Sequence, residues 1–396
     1  MANLFDYISW RGDLEFDRLP FNPVDNIVFS QLSYLPMDGI VPGLHERGSS
    51  AVISSAVISG AVSVTIGELA AKYAVMQRDN PSGLSNDITV NDAISVINAI
   101  GSAPRYKDCK LFGYTNNIDI DQEKQFAAFC AIIGKKHFSK KMLVVYRGTD
   151  MTLVGWKESF NMSFITSIPS QKEAVSYLEK AAGRFRYPLI IAGHSKGGNL
   201  AIYASAFCSK LTRKRIAAIY SNDAPGFHKE VIQSGGYRAI CSRIQSFIPQ
   251  SSLVGMLFEH GEIPMVIKSS ASGPMQHNLC SWEVTYNNMV NAGELTPQSR
   301  FIDNIICEWI NQIDEGQRQQ FIQAIYSILV SCNAASVADL TDDWKNTAGG
   351  IINALINMDK PTKKLMGKII GNLFNTARKN FGKRGGIKTE PSHDPH

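Results

Sequence analysis

Charged residues are scarce in this chain, 19% of 396, while apolar residues make up 44%. That balance excludes a mainly disordered or coiled-coil protein, in which charge would dominate. Paired cysteines are missing too: the seven, at positions 109, 130, 208, 241, 280, 307 and 332, never form a C-x-x-C pair. Isolated thiols in odd number build neither a disulfide framework nor a zinc site, and they point to reduced cysteines in a cytoplasmic chain. No Sec-type leader is visible, because Asp6, Arg11, Asp13, Glu15, Asp17 and Arg18 break up the first thirty residues. The one long uncharged stretch, 48–67, is half Ser, Thr and Gly, which is poor material for a membrane span.

What charge there is gathers at one end. The net charge is +5, yet residues 359–396 alone carry nine Lys or Arg against Asp359, Glu390 and Asp394. The rest of the chain is therefore near neutral, and a basic tail on a neutral body suits solvation or an acidic surface better than nucleic-acid binding along the whole protein.

Along the chain, short β-branched runs alternate with helical spacing. Residues 111–116, 142–146, 188–193, 215–223, 242–248 and 263–269 read as strands; 122–133, 173–185 and 199–211 read as helices. Alternation of this kind predicts an α/β protein with a mostly parallel sheet covered by helices on both faces. Residues 1–85 read as an N-terminal extension or cap within the same unit, 86–290 as the core, 291–385 as a helical region and 386–396 as a flexible tail. The final helix, Pro361 to about residue 381, places Leu365, Met366, Ile369, Ile370, Leu373, Phe374 and Ala377 on one face and Lys364, Lys368, Arg378 and Lys379 mostly opposite. Such a helix closes a core or lies on an anionic membrane.

One motif carries chemistry. Gly193-His194-Ser195-Lys196-Gly197, followed by Gly198, is a G-x-S-x-G placed directly between a strand and a helix. Its glycines permit the sharp turn that lifts a serine hydroxyl clear of the sheet, at a helix N-terminus. A serine needs a base, and the base an orienting carboxylate, here in the order Ser, acid, His. His277 follows a strand on the side where nucleophile loops emerge, whereas His228 and His260 read as surface residues. Asp223 ends the strand after the nucleophile helix; the loop one strand later, PQSSLVG, has Ser251 and Ser252 but no carboxylate, and Glu259 and Glu262 are fallbacks. Oxyanion donors are expected from the backbone N–H groups of Lys196 and Thr149, with the Thr149 hydroxyl as a further candidate, in a loop that Arg147 and Asp150 can pair to hold. Trp156, Phe160, Met162 and Phe164 could line an acyl pocket or simply pack a core.

These stretches resemble the lipase-like α/β-hydrolases. VVYRGTD and GHSKGGNLA are similar to the F-R-G-[ST] and G-H-S-x-G-G motifs of the class 3 lipases, and SNDAPGF to the strand-end aspartate segment of pancreatic-type lipases. More fully, the chain resembles a bacterial family of α/β-hydrolases of unknown function related to class 3 lipases, across roughly residues 1–290, with IPQSSLVGMLFEH and MQHNLCSW among the matching stretches. The resemblance implies Ser195 as nucleophile, His277 as base, Asp223 as acid, and Thr149 and Lys196 as oxyanion donors. It also implies a carboxylic ester as substrate, with a lipid ester as its finer form, and no metal or organic cofactor. Lys196 stands where class 3 lipases usually carry an apolar residue, and Ser251 near where they carry the aspartate.

Overall fold

A computed structural model describes residues 1–44, 63–80, 84–85, 87–150, 152–331 and 357–385, so most of the stretch 48–67 and the tail 386–396 lie outside the described residues. Eight strands form one sheet in strictly sequential order. They are β1 (Val64–Thr65), β2 (Lys110–Asp119), β3 (Lys124–Ile133), β4 (Lys141–Tyr146), β5 (Leu189–His194), β6 (Ile216–Asn222), β7 (Ile244–Pro249) and β8 (Met265–Ile267). Pairing is antiparallel from β1 to β4 and parallel from β4 to β8. A two-stranded hairpin, β9 (Val284–Thr285) and β10 (Asn288–Met289), stands apart.

Sequential parallel strands have a geometric consequence. Each right-handed crossover to the next strand places its helix on the same face of the sheet. That face holds α6 (Pro169–Ala182), α7 (Lys196–Phe207) and α10 (Gly235–Ile240), with the short α8 (Lys210–Arg215) and α9 (Lys229–Ile232) in the same connections. The opposite face would be bare, and it is covered by α1 (Leu4–Arg11), α2 (Pro23–Leu32), α3 (Ile66–Asp79) and α4 (Ile88–Ile100). Strand side chains sort accordingly: Met142, Val144, Tyr146, Leu189 and Ile191 join the crossover helices, while Leu143, Val145, Ile190 and Ala192 join the N-terminal ones. Capping boxes start α1, α2 and α3, at Asn3, Asn22 and Thr65.

Residues 122–133, expected to be helical, form β3 instead. The run is buried along nearly its whole length between β2 and β4, so it needs no polar face and shows no period-two alternation. Helix α5 (Leu153–Asn161) follows β4, and after β10 come the helices α11 (Pro297–Asn311), α12 (Glu315–Ser331) and α13 (Lys360–Gly385). Helices α11 to α13 contact the sheet domain where α12 packs on α5, with the Lys157 ammonium 4.1 Å from the Tyr326 ring centroid, and through polar contacts: Thr296 N to the Gln250 carbonyl at 2.9 Å, Ser299 Oγ to the Ser252 carbonyl at 2.7 Å, and Arg318 Nη1 to the Ser163 carbonyl at 2.7 Å. No helix among the described residues is long and apolar enough to cross a membrane.

Candidate active site

Ser195 sits between β5 and α7 with φ 56° and ψ −133°, in the left-handed region that a side chain enters only under constraint. The constraint is close packing around the turn. A Cβ on Gly193 would overlap the Gly197 backbone, and one on Gly197 would overlap the Tyr146 carbonyl. Ser195 N donates to the Asn222 carbonyl at 2.9 Å, and Gly198 N donates to the Ser195 carbonyl at 2.9 Å. Ser195 is half-buried, and its hydroxyl makes no hydrogen bond among the described residues.

Asp223 and His277 are in contact. His277 Nδ1 lies 2.6 Å from Asp223 Oδ2, with Asp223 buried and His277 about one-third exposed. The other carboxylate oxygen, Oδ1, accepts from Ser252 Oγ at 2.5 Å and from Gly255 N at 3.1 Å. The loop after β7 therefore supplies donors to the carboxylate. Asp223 also adopts φ 45° and donates its N–H to the Phe247 carbonyl at 2.7 Å.

His194 ties this histidine to the N-terminal helices. Its Nε2 is 2.9 Å from the His277 carbonyl, which can only accept, so Nε2 carries the proton and Nδ1 accepts from Tyr34 Oη at 2.8 Å. Burial, and next the adjacent His277, hold the His194 imidazole well below the ordinary histidine range, so it is neutral. The two imidazole rings lie 4.4 Å apart between centroids. Beneath them Asn26 and Asn222 exchange side-chain amide hydrogen bonds, at 2.7 and 3.1 Å, and Asn222 Nδ2 reaches the Gly193 carbonyl at 2.9 Å.

The opposite flank is ionic. The Lys196 ammonium is buried and donates to Glu158 Oε2 at 2.8 Å, the Gln125 carbonyl at 2.7 Å and Gln125 Oε1 at 2.6 Å, which satisfies all three of its protons. Glu158 additionally accepts from Gln125 N and Ser170 N, each at 2.9 Å. Burial lowers Lys196 from the ordinary lysine value, and Glu158 opposes that shift. As the first residue of α7, Lys196 has a backbone N–H without an intrahelical acceptor. Arg147 Nη2 and Asp150 Oδ2 pair at 3.0 Å. Thr149 Oγ1 is bonded to Ser159 Oγ at 2.6 Å, so the hydroxyl anticipated as a donor to substrate is engaged with α5.

Other candidates fall elsewhere. His228 Nε2 donates to the Met162 carbonyl at 2.8 Å, His260 pairs with Glu262 at 3.4 Å, and Glu259 faces Lys229 at 3.5 Å; none of them contacts Asp223 or His277. Trp156 and Phe160 project outward from α5 with rings 6.0 Å apart, while Met162 is buried. Among the described residues no group of three or more His, Cys, Asp or Glu gathers to hold a metal. Tyr34, Asn26 and Glu158 carry no signal in the sequence, and Ser252 is marked there only by the lack of a carboxylate in PQSSLVG.

No curated protein matches the chain. Among solved structures, the M37 lipase is 11% identical, with a TM-score of 0.33 over 59% of this chain and 68% of that one. The native Rhizomucor miehei lipase propeptide complex is 15% identical, with a TM-score of 0.29 over 51% of this chain and 66% of that one. Likeness at that level leaves the fold to be judged from the sheet and the elbow themselves, which have the strand–turn–helix geometry of a lipase-like α/β-hydrolase. The family model described as Mbeg1-like matches residues 100–327, more than half of the chain, and the protein belongs to the Mbeg1-like family.

Proposed function

We propose that the protein is a serine hydrolase that cleaves a carboxylic ester through an acyl-enzyme on Ser195. The observation that carries this reading is the 2.6 Å contact between His277 Nδ1 and the buried Asp223, next to a serine held at positive φ. With Nδ1–H donated to the carboxylate, Nε2 is the basic nitrogen of His277. It takes the Ser195 proton as Oγ attacks the ester carbonyl, and the oxyanion receives the backbone N–H groups of Lys196 and Thr149. Protonated His277 then delivers the proton to the leaving alcohol, and water hydrolyses the acyl-enzyme by the same steps reversed. The Ser–His hydrogen bond is one that commonly tightens only when substrate binds. An ester is preferred to an amide on the resemblance to lipases, and a lipid ester is the finer form of that reading.

A second reading is a hydrolase-like binding or scaffold protein without turnover. It is favoured by one observation, the absence of a hydrogen bond to Ser195 Oγ among the described residues. Intact-mass analysis after treatment with a fluorophosphonate separates the two. The hydrolase reading expects a single adduct on the native chain, none on Ser195→Ala, and labelling slowed by about 10³-fold or more in Asp223→Asn, where the wrong tautomer of His277 faces the serine. An unlabelled native chain with a cooperative unfolding transition would establish the binder instead.

A further inference from the structure

Between Lys360 and Gly385, helix α13 contains no acidic residue but has eight basic ones: Lys360, Lys363, Lys364, Lys368, Arg378, Lys379, Lys383 and Arg384. One stripe of it is committed to packing. Met366, Ile369 and Thr376 are buried, Trp309 Nε1 donates to the Ile369 carbonyl at 3.0 Å, Gln312 Nε2 reaches Thr376 Oγ1 at 3.0 Å, and Asn380 Nδ2 reaches Glu308 Oε2 at 3.0 Å. The apolar face seen in the sequence is therefore divided. Its inner half meets α11 and α12, and its outer half does not.

That outer half points away from the protein. Ile370 is 40% and Phe374 70% exposed, one helical turn apart. A Cβ added at Gly367 or Gly371 would meet nothing within 4 Å, so the surface around the two side chains is open. Lys360, Lys364, Lys368, Arg378 and Lys379 are all exposed along the same helix. Apolar side chains protruding from a field of cations, on a helix without an anion, complement the headgroup layer of an anionic bilayer: cations meet lipid phosphates while the phenyl ring enters the acyl boundary.

We propose that this outer stripe of α13 docks the protein on an anionic lipid surface. Nucleic-acid phosphates would satisfy the cations but leave the protruding Ile370 and Phe374 without apolar surroundings, and this favours lipid. The buried stripe stays packed on α11 and α12, so docking requires no unfolding of the helical region. It also brings the sheet domain to the membrane without a spanning segment.

The test is co-sedimentation of the full chain with vesicles of phosphatidylcholine, with and without phosphatidylglycerol. It does not depend on whether Ser195 reacts, so its failure and that of the hydrolase reading are separable. The expected result is partitioning to the phosphatidylglycerol vesicles alone, weakened when salt is raised to about 0.5 M. Ile370→Ser combined with Phe374→Ser, and separately Lys364→Glu combined with Lys368→Glu, should each reduce it by at least about tenfold. Thermal unfolding midpoints close to the native one would show that these exposed changes leave the fold intact. The proposal is overturned by equal binding to pure phosphatidylcholine, by no binding, by binding that both pairs of substitutions leave unchanged, or by binding to an oligonucleotide without binding to vesicles.

Discussion

The two flanks of Ser195 are held by different chemistry. On one side the clamp is neutral: Tyr34, His194, Asn26 and Asn222 link the N-terminal helices to the elbow and to the His277 carbonyl. On the other it is ionic, the buried Lys196–Glu158 pair with Gln125 and Ser170 around it. A neutral network fixes donors, acceptors and tautomers at modest desolvation cost, whereas a buried ion pair is satisfied only while every partner is present. The neutral clamp positions His277 and the turn at Ser195, and the ionic one binds α5 to α7. Part of the N-terminal extension expected over residues 1–85 takes part in the neutral clamp. Asn26 and Tyr34 reach the elbow itself, and α2 lies against the sheet face that the crossover helices cannot cover.

The largest effect is expected from breaking the ionic flank. Lys196→Met leaves Glu158 buried with only two backbone donors, and Glu158→Leu strands the ammonium. Each should cost about 3–5 kcal/mol in urea-unfolding experiments. The double substitution removes both charges together and should recover most of that loss. If the double variant is as unstable as either single one, the pair is not a closed unit and the contrast between the flanks fails.

Breaking the neutral flank should cost less. Asn26→Leu removes the donor to the buried Asn222 Oδ1, while Ser30 Oγ and the Gly193 carbonyl still accept from Asn222 Nδ2, for about 1–3 kcal/mol. Tyr34→Phe removes the donor to His194 Nδ1 and leaves that buried acceptor unpaired, which loosens the imidazole that donates to the His277 carbonyl. Fluorophosphonate labelling should slow by about tenfold, the equivalent of about 1.4 kcal/mol in the reacting geometry, with a smaller change in unfolding midpoint. Equal losses of rate and stability would mean that Tyr34 only supports the fold.

The legible part of this molecule was the part written locally. Strands β4 to β7 and the turn at Ser195 combine short β-branched runs with adjacent glycines, and His277 and Asp223 lie at strand ends or just beyond them, so chain order could find them. The strand β3 was misread because burial on both faces erases alternation. Tyr34 and Asn26 were invisible for another reason: their partners, His194 and Asn222, lie 160 and 196 residues away, and neither tyrosine nor asparagine announces a partner at that distance. Ser252 was noticed only as the place where a carboxylate was missing. In the structure its hydroxyl donates to the carboxylate that stands one strand earlier.

The smallest effect separates the flanks by pH. Burial and then His277 depress the folded-state pKa of His194, so below the unfolded histidine value of about 6.5 the unfolded chain takes up a proton that the buried imidazole refuses. The stability conferred by neutral His194 is therefore complete above that pH and is lost as pH falls from there towards the depressed folded value. At most about 1.4 kcal/mol is lost per pH unit for one proton. Urea midpoints at about pH 7.5 and pH 5.5 should draw apart in the native chain by more than in His194→Gln, which keeps a donor and an acceptor but cannot titrate. The Lys196→Met, Glu158→Leu double variant should retain the native difference, because its lost groups lie outside the neutral chain of bonds. A difference that survives in His194→Gln would assign the acid sensitivity to another group and remove the neutral flank from the explanation.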